Sequence, residues 1–218
     1  MSILTGKISD RPNRAEYPMN ASEASMSSGS SGSSPVVIDL FCGAGGLSEG
    51  LSQAGIRPVV GVDFDKHAVA TYRHNHPGVP VIEGDVSEVT GEQLMQLAGT
   101  TDIDLIAGGP SCQGFSTHGK RMQDDPRNFL FKHFVRLVDE VRPKMLLMEN
   151  VRGMLTYEKG AFRRQIEAAF QEIGYRTDFA QVVAADYGAP QMRHRILFIG
   201  TRIDDIKLSF PKPTHGSE

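Results

Sequence analysis

From residue 36 onward, short apolar runs alternate with stretches of helical period, and no other feature constrains the fold of this chain as tightly. The runs fall at residues 36–40, 59–62, 79–82, 103–107 and 145–148, with two more at 177–184 and 195–201. Between them, residues 47–54, 66–74, 91–97, 129–141 and 161–173 read as helices. The fourth carries apolar residues at 130, 134, 137, 138 and 141, one face of a 3.6-residue period. Arg142-Pro143 stops that helix and Gly174 stops the next. A turn at 186–190 separates the last two strands. Apolar strands that alternate with helices predict a mostly parallel sheet covered on both faces, an open doubly wound α/β domain. Its ligand is expected at the carboxyl ends of the strands.

The 34 residues before Pro35 have a different character. Ser27 to Ser34 reads SSGSSGSS, with nothing to bury and so nothing to offset the entropy of ordering. Residues 1–34 are expected to be a disordered tail or linker, and residues 35–218 a single domain. With 218 residues, 39% hydrophobic, the chain has enough apolar material for one core. No apolar run nears the ~18 residues of a membrane span, and the N-terminus lacks the apolar stretch of a secretory signal. Two cysteines are too few for a disulfide framework or a zinc cluster. A formal net charge of −3 excludes a broadly basic nucleic-acid coat but leaves room for a locally basic site.

Asp39-Leu40-Phe41-Cys42-Gly43-Ala44-Gly45-Gly46 links the first strand to the first helix. Glycines there let backbone approach a ligand, beside a helix N-terminus that favours a carboxylate. The dinucleotide pattern G-x-G-x-x-G would need glycine at 48, where this chain has Ser48, which counts against a nicotinamide cofactor. Asp63 ends the second strand, where an acid accepts ribose hydroxyls, and Asp85 ends the third, where one receives an adenine amino group. Phe64 can stack on the adenine. Acids at successive strand ends therefore suggest an adenosyl ligand. His74 and His76, in the sequence HNHP, have no acid or cysteine nearby at ligand spacing; they are expected to end a helix, and no metal is expected.

The fourth strand opens into Gly108-Gly109-Pro110-Ser111-Cys112-Gln113-Gly114-Phe115-Ser116. A cysteine in such a loop, at the ligand end of the sheet, is a candidate nucleophile; Cys42, inside the glycine turn, is expected to be structural. At this point the chain resembles the DNA (cytosine-5)-methyltransferases over residues 36–218. DLFCGAGGLSEG resembles their first motif, GGPSCQGFS their nucleophile motif, Glu149-Asn150-Val151 their ENV motif and Gln191-Met192-Arg193-His194-Arg195 their QxRxR motif, in the family's order. The chain has Ser111 where the family usually has proline, the residue that stiffens that loop.

The resemblance implies a Rossmann-like methyltransferase fold with a C-terminal antiparallel strand. It implies S-adenosylmethionine as cofactor, leaving as S-adenosylhomocysteine, held by Asp39, Phe41, Gly43, Gly45, Gly46, Asp63, Phe64, Asp85, Val86 and Pro110. It also implies that the Cys112 thiolate adds to carbon 6 of a flipped cytosine in double-stranded DNA, that Glu149 bonds ring N3 and the exocyclic amine, and that Arg195 contacts the cytosine oxygen while Arg193 helps hold the loop and the DNA backbone. Ser111, Gln113, Ser116, Asn150 and Gln191 are the implied substrate-binding residues. Lys120, Arg121, Arg127, Lys132 and Arg136 are expected at phosphates. By the same resemblance the protein is cytoplasmic and acts on nucleoid DNA, with no membrane partner. Pro211-Lys212-Pro213-Thr214-His215-Gly216 resembles the family's exit from the catalytic region, so the recognition region and last motif are expected on a complementary subunit or beyond a truncation. The alternatives are a non-catalytic cofactor- or DNA-binding remnant and an RNA cytosine methylase.

Overall fold

The computed structural model describes residues 34–111, 130–156 and 160–216. Cys112, Gln113, Ser116 and the basic residues 120, 121 and 127 lie outside them, as does the N-terminal tail up to residue 33. The elements run β1 (Val36–Leu40), α1 (Gly46–Gln53), β2 (Arg57–Asp63), α2 (Lys66–Asn75), β3 (Val81–Glu83), α3 (Gly91–Ala98), β4 (Leu105–Gly108), α4 (Leu130–Val141), β5 (Met145–Val151), α5 (Gly153–Thr156), α6 (Ala161–Glu172), β6 (Arg176–Val183) and β7 (His194–Thr201). A short 3-10 helix over Ala184–Tyr187 sits in the β6–β7 connection.

Among these residues the seven strands form one sheet in the order β3-β2-β1-β4-β5-β7-β6. The first five are parallel, and β7 inserts antiparallel between β5 and β6. The chain winds outward from β1 to β3, then returns to lay β4 on the other side of β1. Right-handed crossovers put α1 and α2 on one face and α3, α4 and α6 on the other. The connections leaving the carboxyl ends of the paired strands β1 and β4 thus run in opposite directions at the switch point, the expected ligand crevice. Gly108 permits that close pairing, since a Cβ there would lie 2.2 Å from the Leu40 carbonyl oxygen.

The core follows the apolar pattern. Every residue of β1 is buried. Helix α4 buries Phe131, Phe134, Leu137, Val138 and Val141, and it meets α6 through edge-on pairs, Phe131 with Phe162 and Phe134 with Phe170. Leu130, predicted on that apolar face, packs against the core at its edge and also lines a cavity, while Phe131 takes a deeper position. Strand β2 begins at Arg57 rather than residue 59 and β3 at Val81 rather than residue 79, and two further boundaries differ for identifiable reasons. Strand β4 starts at Leu105 rather than residue 103, because the Asp104 carboxylate accepts the Val36 N–H (2.8 Å). Strand β5 runs on from residue 148 to Val151, because β7 pairs with it as far as Val151 opposite Arg195.

Candidate active site

A cavity of about 600 Å³ opens at the carboxyl ends of β1, β2, β3 and β4. Among its lining residues, Phe41, Asp63, Phe64, Asp85, Val86 and Ser111 were expected from sequence; Val62, Gly84, Gly109 and Leu130 were not. The first three of these sit directly beside expected residues, and only Leu130 comes from a distant element. Phe41 adopts a left-handed φ of 60°, a conformation unfavourable for a bulky side chain, in a turn continued by Gly43 at 55° and Gly45 at 94°. Phe64 leaves 76% of its surface exposed at the cavity.

The two acids are held by backbone. Asp63 accepts the Gly43 N–H on Oδ2 (2.8 Å) and the Asp65 N–H on Oδ1 (2.9 Å). Each oxygen keeps a further lone pair for a hydroxyl. Asp85 accepts the Ser87 N–H (2.8 Å), and hydrogen bonding to Ser87 holds its carboxyl below the usual range, with a smaller contribution from His133. It is therefore ionised and ready to accept from an amine.

On the other side of β4 stands a carboxylate–guanidinium cluster. Glu149 and Arg195 occupy the same face of the β5–β7 pair, because Val151 lies opposite Arg195 and Glu149 is two residues earlier. The Arg195 Nε–H donates to Glu149 Oε1 and its Nη1 to the His194 carbonyl (2.7 Å). Arg193, two residues ahead on the same side, brings Nη2 within 3.8 Å of that carboxylate oxygen. The alternate spacing of arginines in QxRxR is the strand period at work. Gln191 and Met192 are exposed at the tip of this turn. Gly109 separates cluster from cavity: it lines the cavity, and a Cβ on it would lie 3.0 Å from Glu149 Oε2.

Two expected ligand contacts take other positions. Asp39 is wholly buried, accepting the Ser48 hydroxyl on Oδ2 (2.6 Å), and Ser48 in turn meets the Tyr72 hydroxyl (2.9 Å). Burial raises its carboxyl to about 7 against the pull of the Ser48 bonds. It supports the turn from beneath, and Ser48 fills the place where a dinucleotide site needs its third glycine. Asn150 points to the opposite face from Glu149 and is buried; its amide donates to the Pro110 carbonyl (3.0 Å), bracing the loop that leads into Ser111. Arg136, expected at a phosphate, bonds Glu140 (2.7 Å) and the Val86 carbonyl (3.0 Å), so its guanidinium ties α4 to the β3–α3 loop. Cys42 is buried, and desolvation, with Asp39 and Asp63 adding to it, pushes its thiol far above the ordinary value, which suits a structural role.

Residues 36–217 match the family model of C-5 cytosine-specific DNA methylases. The chain belongs to this family. Among its methylases, type II methyltransferase M1.HphI of Haemophilus parahaemolyticus is 42% identical over 181 residues, 82% of this chain and 48% of that protein. Type II methyltransferase M.AquIA of Picosynechococcus is 41% identical over 191 residues, 83% of this chain and 77% of that protein. A solved DNA modification methyltransferase encoded within an Escherichia coli prophage superposes with a TM-score of 0.68 at 40% identity, over 77% of this chain and 47% of that one. The chain thus spans about half the length of M1.HphI and of the solved methylase.

Proposed function

We propose that this chain carries the cofactor and catalytic groups of a DNA cytosine-5 methyltransferase. The observation that supports this most directly is the placement of the Glu149–Arg195 pair across Gly109 from the cavity. The cavity suits S-adenosylmethionine: an exposed aromatic ring at Phe64, a backbone-held carboxylate at Asp63 for ribose hydroxyls and an ionised Asp85 for the adenine amine. When bound, that cofactor supplies an electrophilic methyl group.

The protein's own part is to make carbon 5 of cytosine nucleophilic. The base leaves the duplex to reach the site. Cys112, next in the chain after the cavity-lining Ser111, adds its thiolate to carbon 6, and the ring electrons move to carbon 5. Glu149 bonds N3 and the exocyclic amine, which stabilises the charge that develops as the adduct forms. Arg195 holds Glu149 in place and reaches the cytosine oxygen. Carbon 5 takes the methyl; a base removes the carbon-5 proton, the electrons re-form the double bond and the thiolate leaves. Readout of the target sequence requires the part of the relatives' length that these residues do not match, on the same polypeptide or on a complementary subunit.

The test is covalent trapping on duplex DNA containing 5-fluorocytosine, with S-adenosylmethionine, in the complete assembly. Cys42→Ser should still trap, and Cys112→Ser should not. Undiminished turnover by Cys112→Ser overturns the mechanism.

A further inference from the structure

Four successive residues of the glycine turn are each tied to the β2–α2 unit. The Cys42 N–H donates to the Val62 carbonyl (3.0 Å) and the Gly43 N–H to Asp63 (2.8 Å). The next two bonds come from the HNHP sequence that closes α2: Asn75 Nδ2 donates to the Ala44 carbonyl (3.1 Å), and His76 Nε2 meets the Gly45 carbonyl (3.1 Å). His76 is buried, with its ring 4.6 Å from that of Tyr72. The fit at Gly45 is close, since a Cβ there would lie 2.2 Å from His76 Nε2.

A turn with glycines at 43, 45 and 46 has little conformational preference of its own and loses more freedom on ordering than other sequences. We propose that Asn75 and His76 are positioning residues for the cofactor turn, pinning the Ala44 and Gly45 carbonyls onto α2 and so fixing the direction of the amides that open α1. In a trans peptide the C=O and N–H point opposite ways, so drawing the Gly45 carbonyl toward His76 sends the Gly46 N–H away from α2. Gly45 also accepts the first helical bond, from the Glu49 N–H (2.8 Å), so the same contact sets where α1 begins. Donation by His76 requires its proton on Nε2. The inference rests on the cofactor reading of the cavity and adds to it two side chains that do not line that cavity.

The test uses the full chain with three substitutions. Asn75→Asp keeps shape but replaces the donor with an acceptor facing a carbonyl. His76→Phe keeps the ring against Tyr72 and removes the polar contact, whereas His76→Gln restores an N–H near the Nε2 position. Hydrogen exchange of the segment 41–47 is followed without cofactor, and binding of S-adenosylmethionine and S-adenosylhomocysteine by calorimetry, with the unfolding midpoint measured alongside. Asn75→Asp and His76→Phe should speed exchange in that segment and weaken both ligands by about three- to tenfold, the scale of one lost hydrogen bond. His76→Gln should remain within about twofold of the parent, which a merely structural histidine would not predict. Asp85→Ala should weaken binding with exchange in the turn unchanged. A parent chain that gives no saturable S-adenosylmethionine signal overturns the cofactor reading and this inference with it. Parental binding together with unchanged exchange and affinity in both Asn75→Asp and His76→Phe overturns the inference alone.

Discussion

A methyl group on residue 109 would lie 3.0 Å from the Glu149 carboxylate, on the thin wall between cavity and catalytic cluster. The methyl would meet Oε2, and the carboxylate cannot turn away freely because Arg195 and Arg193 both engage its other oxygen, Oε1. Gly109→Ala should therefore leave the unfolding free energy within about 1 kcal/mol of the parent while slowing methyl transfer at least about tenfold, measured at saturating cofactor. Asp39 gives a pH signature instead. Its folded-state carboxyl ionises near 7 because it is buried, against 3.8 when unfolded. Between these values the folded state keeps a proton that the unfolded state releases, so stability falls as pH rises from about 4 to 7 and levels off above. The contribution is roughly 3–5 kcal/mol. Denaturant titrations at several pH values should show a shallower decline for Asp39→Asn, which cannot ionise; equal slopes would refute the raised carboxyl. Asp39 was legible in the sequence as part of a ligand turn, but its direction was not. Side-chain direction at a strand end depends on what lies beneath, here Ser48 and Tyr72 from two different helices.

At the scale of elements, local period was a good guide where neighbours in sequence supply the packing and a poor one where they do not. Helix α4 announces itself by its apolar face and ends at Val141, as predicted. Strand β5 reads as four residues because its apolar run stops at Met148, yet it extends through Glu149, Asn150 and Val151 on the strength of a partner strand some 45 residues later. The same long-range logic reassigns Arg136. As one cation in a basic stretch it suggested phosphate binding; in the fold it pairs with Glu140 one turn on in α4 and donates to the Val86 carbonyl of the β3–α3 loop, and Glu140 in turn accepts the Gly91 N–H (2.6 Å) at the start of α3. This brace joins α4 to a wall of the cavity. Arg136→Ala should weaken S-adenosylmethionine binding by loosening the Asp85–Val86 wall. It should leave the slope of log affinity for DNA against log salt unchanged. A cation on a phosphate would instead reduce that slope by about one.

For the whole molecule, the alternation of strands and helices was enough to place the ligand at the carboxyl ends of a doubly wound sheet, and the cavity lies there. The insertion of β7 between β5 and β6 could not be read locally, since strand order records which apolar faces find each other across the chain. That insertion is what brings Arg193 and Arg195 to Glu149. Among the described residues, then, one end of the sheet assembles both a cavity fit for an adenosyl group and a charged cluster fit for a cytosine. Binding a particular DNA sequence needs more. Base edges are read by side chains carried into a groove, and among the described residues of this end the exposed Gln191, Met192 and Arg193 are candidates for that task. A net charge of −3 also gives the chain no general attraction to phosphate. These 218 residues by themselves should therefore bind duplex DNA weakly, lose that binding steeply between about 50 and 200 mM salt, and not distinguish a cognate site from a scrambled one. Added to the matching recognition part of such a methylase, in cis or as a second chain, they should methylate a single defined sequence, with affinity for that site at least about a thousandfold above the scrambled duplex. Competition binding on paired duplexes and tritium transfer from labelled cofactor measure the two halves of this expectation. Site-specific methylation at ordinary enzymatic rates by the 218 residues alone would overturn this expectation.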